Sequence, residues 1–299
     1  MPSFISVWMR EQIRLAKPLL KRMSIEDQRA GQDRIGALGA RALAAKVDFE
    51  PEPFDRFAAD WATPKDRVPE RAILYLHGGS YTAGSLKYAR GFGGLLAHRT
   101  GRRVLCAAYR LAPETPFPGA VEDAVEAYRR MLETYPGHEI AIVGESAGGG
   151  LAFGAAQAIR DGGLPLPGCL VAISPWADLT LSGASYREQE RRDPSLVLED
   201  LAESARLYAG ERRADPLVSP VFGDFTGFPP SLLFAGTDEL LRDDARALAE
   251  RLRQCGAACD LVVAEGMWHV YVLFGIPEAQ EALKRIAAFL ERNGGREDG

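Results

Sequence analysis

The chain has 299 residues, of which 46% are hydrophobic, so it can bury one large core and we expect a single domain. Its formal charge of -5 arises from mixed charges without long blocks of one sign, which argues against a nucleic-acid partner. The four cysteines lack the spacing of a zinc site, and so few thiols favour a reducing compartment over a disulfide framework.

The chain begins with two predicted helices. Apolar residues at helical spacing, among them Phe4 and Trp8, predict the first helix. A second helix is predicted over residues 27–44. Charged residues such as Arg10 and Arg14 interrupt the apolar positions, so this segment resembles neither a signal peptide nor a membrane span. We therefore expect a soluble protein of the cytoplasm with no membrane partner.

A buried strand at 72–76 follows two early strands near 47–50 and 56–62, and it leads directly into His77-Gly78-Gly79-Ser80. A glycine loop at the end of a strand exposes backbone N–H groups, which can stabilise the oxyanion that forms during acyl transfer. The histidine is expected to fix the loop. We predict an oxyanion hole formed by Gly78, Gly79, Ser80 and Ala147.

Strands and helices then alternate from residue 103 to residue 173, which predicts a mostly parallel sheet with helices on both faces. Within this stretch the apolar run 140–143 is followed by Gly144-Glu145-Ser146-Ala147-Gly148. This is the pattern of a nucleophile elbow, in which small residues permit the sharp turn that exposes a serine. Ser146 is therefore the candidate nucleophile.

Between Pro175 and Pro230, roughly fifty residues separate two strands of the sheet, at 169–173 and 231–235, which is too long for an ordinary crossover. We predict a cap formed by about 1–45 and 177–225, and a catalytic core formed by about 46–176 and 226–299. The alternative is a surface elaboration that does not contact substrate.

A serine nucleophile requires a base and an orienting acid, and both are expected in loops after later strands. His269 follows the strand at 260–264, whereas His98 and His138 are expected at the surface. Asp238 is the first acid after the strand at 231–235, and Glu239 would then point away from the site. Two further acids, Asp243 and Asp244, suit a helix start. The order Ser146, Asp238, His269 is that of the α/β-hydrolase fold.

Together these motifs resemble those of the hormone-sensitive-lipase-like, bacterial family IV esterases. The similarity also includes the segments 109–118 and 174–179, Asp215-Pro216 and Gly236-Thr237-Asp238-Glu239-Leu240. Ser80 stands where that family usually has a third glycine, and Glu145 stands where Asp is commoner. The resemblance implies a two-part cap, short-acyl ester substrates and frequent homodimers. It also implies that the first helix covers the pocket, which we expect to be lined by Phe4, Trp8, Tyr81 and Trp176.

The leading hypothesis is a serine carboxylesterase that needs no cofactor or metal and acts on a small-molecule ester. The same catalytic groups would also suit a lactone hydrolase or a deacetylase. A third alternative is a ligand receptor without activity, because the plant gibberellin receptors resemble this branch. Those receptors lack the catalytic histidine, whereas this chain has His269 in the expected loop.

Overall fold

In the computed structural model of the protein, residues 1–20 and 23–293 are described, without the side chains of residues 19 and 20. The predicted cap and core ranges therefore include a few residues, 21–22 and 294–299, outside the described part. Across the described ranges the structure has nine α-helices and eight β-strands. The helices are α1 (Phe4–Leu20), α2 (Ile25–Leu43), α3 (Leu86–Thr100), α4 (Gly119–Leu132), α5 (Ala147–Asp161), α6 (Ser185–Glu188), α7 (Leu198–Ala209), α8 (Arg242–Gln254) and α9 (Pro277–Asn293). The strands are β1 (Val47–Glu52), β2 (Ala58–Pro64), β3 (Ala72–Leu76), β4 (Arg103–Ala108), β5 (Ile140–Glu145), β6 (Cys169–Ile173), β7 (Ser231–Gly236) and β8 (Cys259–Ala264).

All eight strands form one sheet in the order β1-β2-β4-β3-β5-β6-β7-β8. The first two strands pair antiparallel with each other, β2 pairs antiparallel with β4, and every later pairing is parallel. The predicted α/β-hydrolase fold, with its mostly parallel sheet, is confirmed. Because parallel strands share their carboxyl ends, the loops after β3, β5, β6, β7 and β8 meet at one edge.

Side chains of the central strands alternate between two apolar layers, one on each face of the sheet. On β3, Leu74 and Leu76 belong to one layer, whereas Ile73 and Tyr75 belong to the other. Helices cover both faces, so strands that read as continuous apolar runs are buried throughout. This double burial makes the sheet a rigid support for the loops at its carboxyl edge.

The segment between β6 and β7 contains the short α6 and the longer α7. Lys17 of α1 donates hydrogen bonds to the carbonyl oxygens of Glu190 (3.2 Å) and Asp193 (2.7 Å) in this segment. The N-terminal region and the insertion therefore contact each other, while the exact boundaries of a separate cap stay a prediction. None of the helices in the described ranges is long and apolar enough to cross a bilayer.

Candidate active site

Ser146 occupies a sharp turn between β5 and α5. Its backbone has φ 54° and ψ -123°, a conformation that residues with a side chain rarely adopt. Two glycines make the turn possible. A Cβ on Gly144 would clash with the backbone of Gly148, and a Cβ on Gly148 would clash with the carbonyl oxygen of Leu76. The geometry is that expected of a nucleophile elbow, with the serine 7% exposed at the N-terminus of α5.

His269 lies in the loop that follows β8, and its imidazole reaches the serine. The Nε2 atom of His269 is 2.9 Å from Ser146 Oγ, a hydrogen-bond distance at which the ring could accept the serine proton. The histidine is only 6% exposed and the serine 7%, so most of the surface of both residues is buried. The structure thus brings together the two residues that the sequence assigned as nucleophile and base.

The structure corrects the expected position of the acid. The nearest carboxylate oxygen to His269 Nδ1 is Oε2 of Glu239, at 3.6 Å, and Glu239 is fully buried. Asp238 instead turns toward α1, where its Oδ2 accepts a hydrogen bond of 3.0 Å from Arg10 Nη1. Consecutive residues in this turn project to opposite sides, and the ion pair with Arg10 holds Asp238 on the outer side.

Burial raises the pKa of Glu239, whereas its interaction with His269 works in the opposite direction. Ser174, which follows β6, donates a hydrogen bond of 2.7 Å to Glu239 Oε2. The same Ser174 oxygen accepts a hydrogen bond of 3.0 Å from the backbone N–H of Val270, the residue after the histidine. Ser174 therefore links the loop of the acid to the loop of the base, a role that the sequence analysis did not assign.

The loop after β3 presents backbone donors beside Ser146. Gly79, Ser80 and Tyr81 have φ values of 120°, 55° and 62°, so three consecutive residues have left-handed backbone conformations. Within the described part of the chain, the N–H groups of Gly79 and Ser80 have no protein acceptor. Ala147 begins α5, where the first N–H groups lack partners inside the helix. These three donors suit an oxyanion hole.

Gly78, which was included in the predicted oxyanion hole, has a different contact. Its N–H donates a hydrogen bond of 2.6 Å to Oε1 of Glu145, so this donor is already occupied. The correction leaves Gly79, Ser80 and Ala147 as candidates. Gly78 instead ties the loop to the residue before the nucleophile.

Glu145 is buried behind the nucleophile and binds three donors. Besides Gly78, its carboxylate accepts hydrogen bonds from the hydroxyls of Tyr75 (2.7 Å) and Tyr88 (3.1 Å). Burial raises the pKa of Glu145 to about 7, although these hydrogen bonds favour the ionised form. The sequence marked Glu145 as unusual, but its partners come from β3 and α3 and could not be read from the motif.

His77 has the structural role expected of it. Its ring stacks on Tyr109 with a centroid separation of 4.4 Å, and its Nδ1 lies 2.8 Å from the carbonyl oxygen of Gly78. Complete burial lowers the pKa of His77 to about 4. His77 is therefore neutral, and its contacts stabilise the conformation of the glycine loop.

A cavity of about 310 Å³ opens onto Ser146 and His269. It lies between α2, the glycine loop and the start of α7. Apolar side chains line much of it, together with a few polar ones such as Gln32 and Tyr88. A cavity of this volume admits a small substrate. The apolar residues of its lining are Met23, Ile35, Leu196, Val197, Leu201 and Val270.

The four residues predicted to line the pocket do not do so. Phe4 and Trp8 are 85% and 56% exposed, because the opposite face of α1 packs inward through Ser6 and Arg10. Tyr81 and Trp176 are buried in the core instead. Tyr81 stacks on Tyr208 with a centroid separation of 3.8 Å.

The chain is similar to known proteins over most of its length. Residues 73–273 match the model of a family described as having the alpha/beta hydrolase fold. The chain is 44% identical over 236 residues to an acetyl-hydrolase of Streptomyces hygroscopicus, covering 78% of this chain and 79% of that protein. It is 34% identical over 222 residues to an esterase of Acinetobacter venetianus, covering 73% of each.

Solved structures show the same relationship. An esterase from the bacterial hormone-sensitive lipase family superposes with a TM-score of 0.89 at 36% identity, covering 99% of this chain and all of that one. EstE5, in a crystal soaked with p-nitrophenyl butyrate, superposes with a TM-score of 0.91 at 33% identity, covering 97% of this chain and 99% of that one. The chain therefore belongs to the α/β-hydrolase family, in its branch of hormone-sensitive-lipase-like esterases.

Proposed function

We propose that the protein is a serine carboxylesterase that hydrolyses short-acyl esters through an acyl-enzyme. The observation that carries this proposal is the 2.9 Å contact between Ser146 Oγ and His269 Nε2, with Glu239 on the other side of the imidazole. A serine hydroxyl becomes a competent nucleophile when a positioned base accepts its proton. The orienting acid in this proposal is Glu239 rather than Asp238.

In the first half of the reaction, Ser146 Oγ bonds to the ester carbonyl carbon while His269 Nε2 takes the serine proton. The carbonyl oxygen becomes an anion, which the N–H groups of Gly79, Ser80 and Ala147 stabilise. Collapse of this intermediate breaks the bond to the alcohol oxygen, and His269 returns the proton to it. The alcohol leaves and the acyl group stays on the serine.

In the second half, His269 removes a proton from a water molecule, whose oxygen attacks the acyl-enzyme carbonyl. The second tetrahedral intermediate collapses by releasing Ser146 Oγ, which recovers its proton from His269. The carboxylate of Glu239 stabilises the imidazolium in both halves. The products are a carboxylic acid and an alcohol, and the enzyme returns to its starting state without a cofactor.

The size of the cavity supports short substrates. A volume of about 310 Å³ is enough for a small ester. Several relatives carry names that fit this size, among them the acetyl-hydrolase of Streptomyces hygroscopicus and an ethyl acetate hydrolase of Pseudomonas putida. Lactones and acetamides remain alternative substrates for the same groups, because the mechanism requires only an activated carbonyl.

Two further proposals concern the setting of the enzyme. All four cysteines are free thiols, and Cys106 and Cys169 are buried, which supports a reducing compartment such as the cytoplasm. The family resemblance supports a homodimer.

The decisive experiment is a kinetic screen of p-nitrophenyl esters from acetate to laurate, with lactones and acetamides alongside. We expect the highest kcat/KM on acetate to butyrate, and we expect a fluorophosphonate probe to label the wild type but not Ser146→Ala. A receptor without activity would bind ligand yet show neither turnover nor labelling. Preferential turnover of acetamides or lactones would identify one of the alternative hydrolases instead. Activity is expected to persist in EDTA.

A further inference from the structure

Asp193 lies in the inserted segment between β6 and β7, and it is 1% exposed. Its two carboxylate oxygens accept hydrogen bonds from two different segments of the chain. Oδ1 accepts hydrogen bonds from the N–H of Ser195 (2.8 Å), the hydroxyl of Ser195 (3.0 Å) and the N–H of Leu196 (2.9 Å), which closes a local turn. Oδ2 accepts a hydrogen bond of 2.9 Å from the backbone N–H of Leu240. One side chain therefore joins the insertion to the loop after β7.

Leu240 is the residue directly after Glu239, the proposed acid. On the other side of Glu239, the carboxylate of Asp238 binds Arg10 of α1 at 3.0 Å. The same Arg10 nitrogen lies 3.5 Å from the carbonyl oxygen of Gly266, in the loop that carries the base. Both neighbours of Glu239 are thus held by segments outside the sheet, and a fully buried side chain between two fixed neighbours has little freedom to turn away.

The two holding segments are themselves connected. Lys17 of α1 donates a hydrogen bond of 2.7 Å to the backbone carbonyl oxygen of Asp193. Ser195, Leu196 and Val197, which follow Asp193, line the cavity above Ser146. The segment that lines the cavity is therefore the same segment that holds the loop of the acid.

We propose that Asp193 is a positioning residue for Glu239. Its hydrogen bond to Leu240, the residue after Glu239, holds the acid beside His269. Arg10 holds the residue before Glu239, Asp238, in the same way. This inference rests on the proposed function and adds to it a residue that touches neither substrate nor the reacting atoms. It makes the orientation of the acid depend on contacts from α1 and from the insertion. These contacts act together with the hydrogen bond that Ser174, after β6, donates to Glu239.

The test is Asp193→Asn. Asparagine keeps one oxygen for the turn with Ser195 and Leu196, but it places an NH2 group against the N–H of Leu240. We expect kcat on p-nitrophenyl acetate to fall about tenfold or more, since small displacements of a catalytic group have effects of this size or larger. The matched control is Asp224→Asn. Asp224 closes the same kind of turn with Thr226 (3.0 and 2.8 Å) but lies exposed on the surface. The Asp224→Asn variant should leave kcat unchanged.

A double-mutant cycle with Glu239→Gln separates positioning from a general effect on folding or on the pocket. If Asp193 acts through Glu239, then Asp193→Asn should lower the residual kcat of Glu239→Gln by less than about twofold. The same tenfold loss in both backgrounds would overturn the proposal, as would an unchanged kcat in the single variant. Full activity of Glu239→Gln would overturn it as well, because Glu239 would then not be the acid.

Arg10→Gln provides an independent cycle if Asp193→Asn fails to fold, with Arg71→Gln as its control. Arg71 also pairs with a carboxylate, that of Glu291 in α9 (3.5 Å), but it precedes β3 and so lies at the opposite edge of the sheet from the loops of the triad. We expect Arg10→Gln, and not Arg71→Gln, to lower kcat in a manner that depends on Glu239. If the wild-type protein is inactive, both the proposed function and this inference are contradicted. If the wild type is active but the effects of these variants on kcat add to that of Glu239→Gln, this inference alone is contradicted.

Discussion

Ser174 donates a hydrogen bond of 2.7 Å to Glu239, and its oxygen also accepts one from the backbone of Val270. One hydroxyl thus fixes the carboxylate that orients the base and the loop on which the base stands. Ser174 and Glu239 are fully buried, so water cannot readily replace the hydrogen bond between them.

Ser174→Ala is expected to lower kcat by about tenfold while KM changes little, because the acid and the base lose a shared support without any loss of substrate contact. Steady-state kinetics on p-nitrophenyl acetate will measure this. Ser182→Ala is the control, since Ser182 makes its hydrogen bond to Asp178, within the insertion. An equal loss in both variants would show that the effect is not specific to the triad.

Ser146→Ala should abolish ester hydrolysis, with a loss of about 10⁴-fold or more, and leave the fold intact. The substitution removes one oxygen that faces the cavity. Turnover measurements, together with thermal unfolding of both proteins, will check this. Residual turnover close to that of the wild type would exclude Ser146 as the nucleophile.

Glu239→Gln and Asp238→Asn distinguish the two candidate acids. Glu239→Gln should lower kcat/KM by about 10³-fold or more, because a neutral amide does not stabilise the imidazolium. Asp238→Asn should cost less than about tenfold, since asparagine can still accept the hydrogen bond from Arg10. The reverse ranking of the two variants would restore the assignment made from the sequence.

Phe4→Ser and Trp8→Ser, singly or together, should leave KM and the chain-length profile unchanged. Both side chains are exposed and neither contacts the cavity. A changed profile in the kinetic screen would mean that α1 covers the pocket in solution with the face that the sequence analysis predicted.

Glu145→Gln is expected to change how stability depends on pH. The pKa of Glu145 is raised from 4.5 to about 7 in the fold, so between these values the folded protein keeps a proton that the unfolded chain releases. The stabilising contribution of this group is therefore complete below pH 4.5 and is lost as the pH rises to about 7. The pKa difference corresponds to roughly 3 kcal/mol.

The measurement is denaturant unfolding of the wild type and Glu145→Gln from pH 4.5 to 8. The free energy of unfolding of the wild type, relative to the variant, should decline by roughly 2 to 3 kcal/mol across this range. Glutamine can still accept from Gly78 and donate to Tyr75, so the variant retains most of the local contacts. A difference that does not change with pH would show that Glu145 has an ordinary pKa.

Much of the fold could be predicted from the sequence because the evidence for it is local. Buried runs such as 72–76 and 140–143 mark central strands, and the glycines around Ser146 leave few alternatives to a tight turn. His269 could be placed because the loop after a parallel strand must lie at the same edge as the other loops. These features depend on neighbouring residues and on sheet geometry.

The errors have a different origin. Whether Asp238 or Glu239 faces inward depends on Arg10, which lies 228 positions away in the chain. Which face of α1 packs against the core depends on Glu278, which binds Ser3 and Ser6 from α9. The partners of Glu145 likewise come from β3 and α3. Long-range polar contacts of this kind leave no periodic pattern in the sequence.

The backbone of Ser146 has a consequence for evolution as well as for chemistry. A residue with a side chain at φ 54° and ψ -123° is strained by roughly 1 to 3 kcal/mol, whereas glycine adopts this conformation readily. Ser146→Gly should therefore unfold at a higher temperature than the wild type although it cannot form an acyl-enzyme. Selection for folding alone would favour glycine at this position, so the presence of serine there is itself a sign that catalysis is under selection.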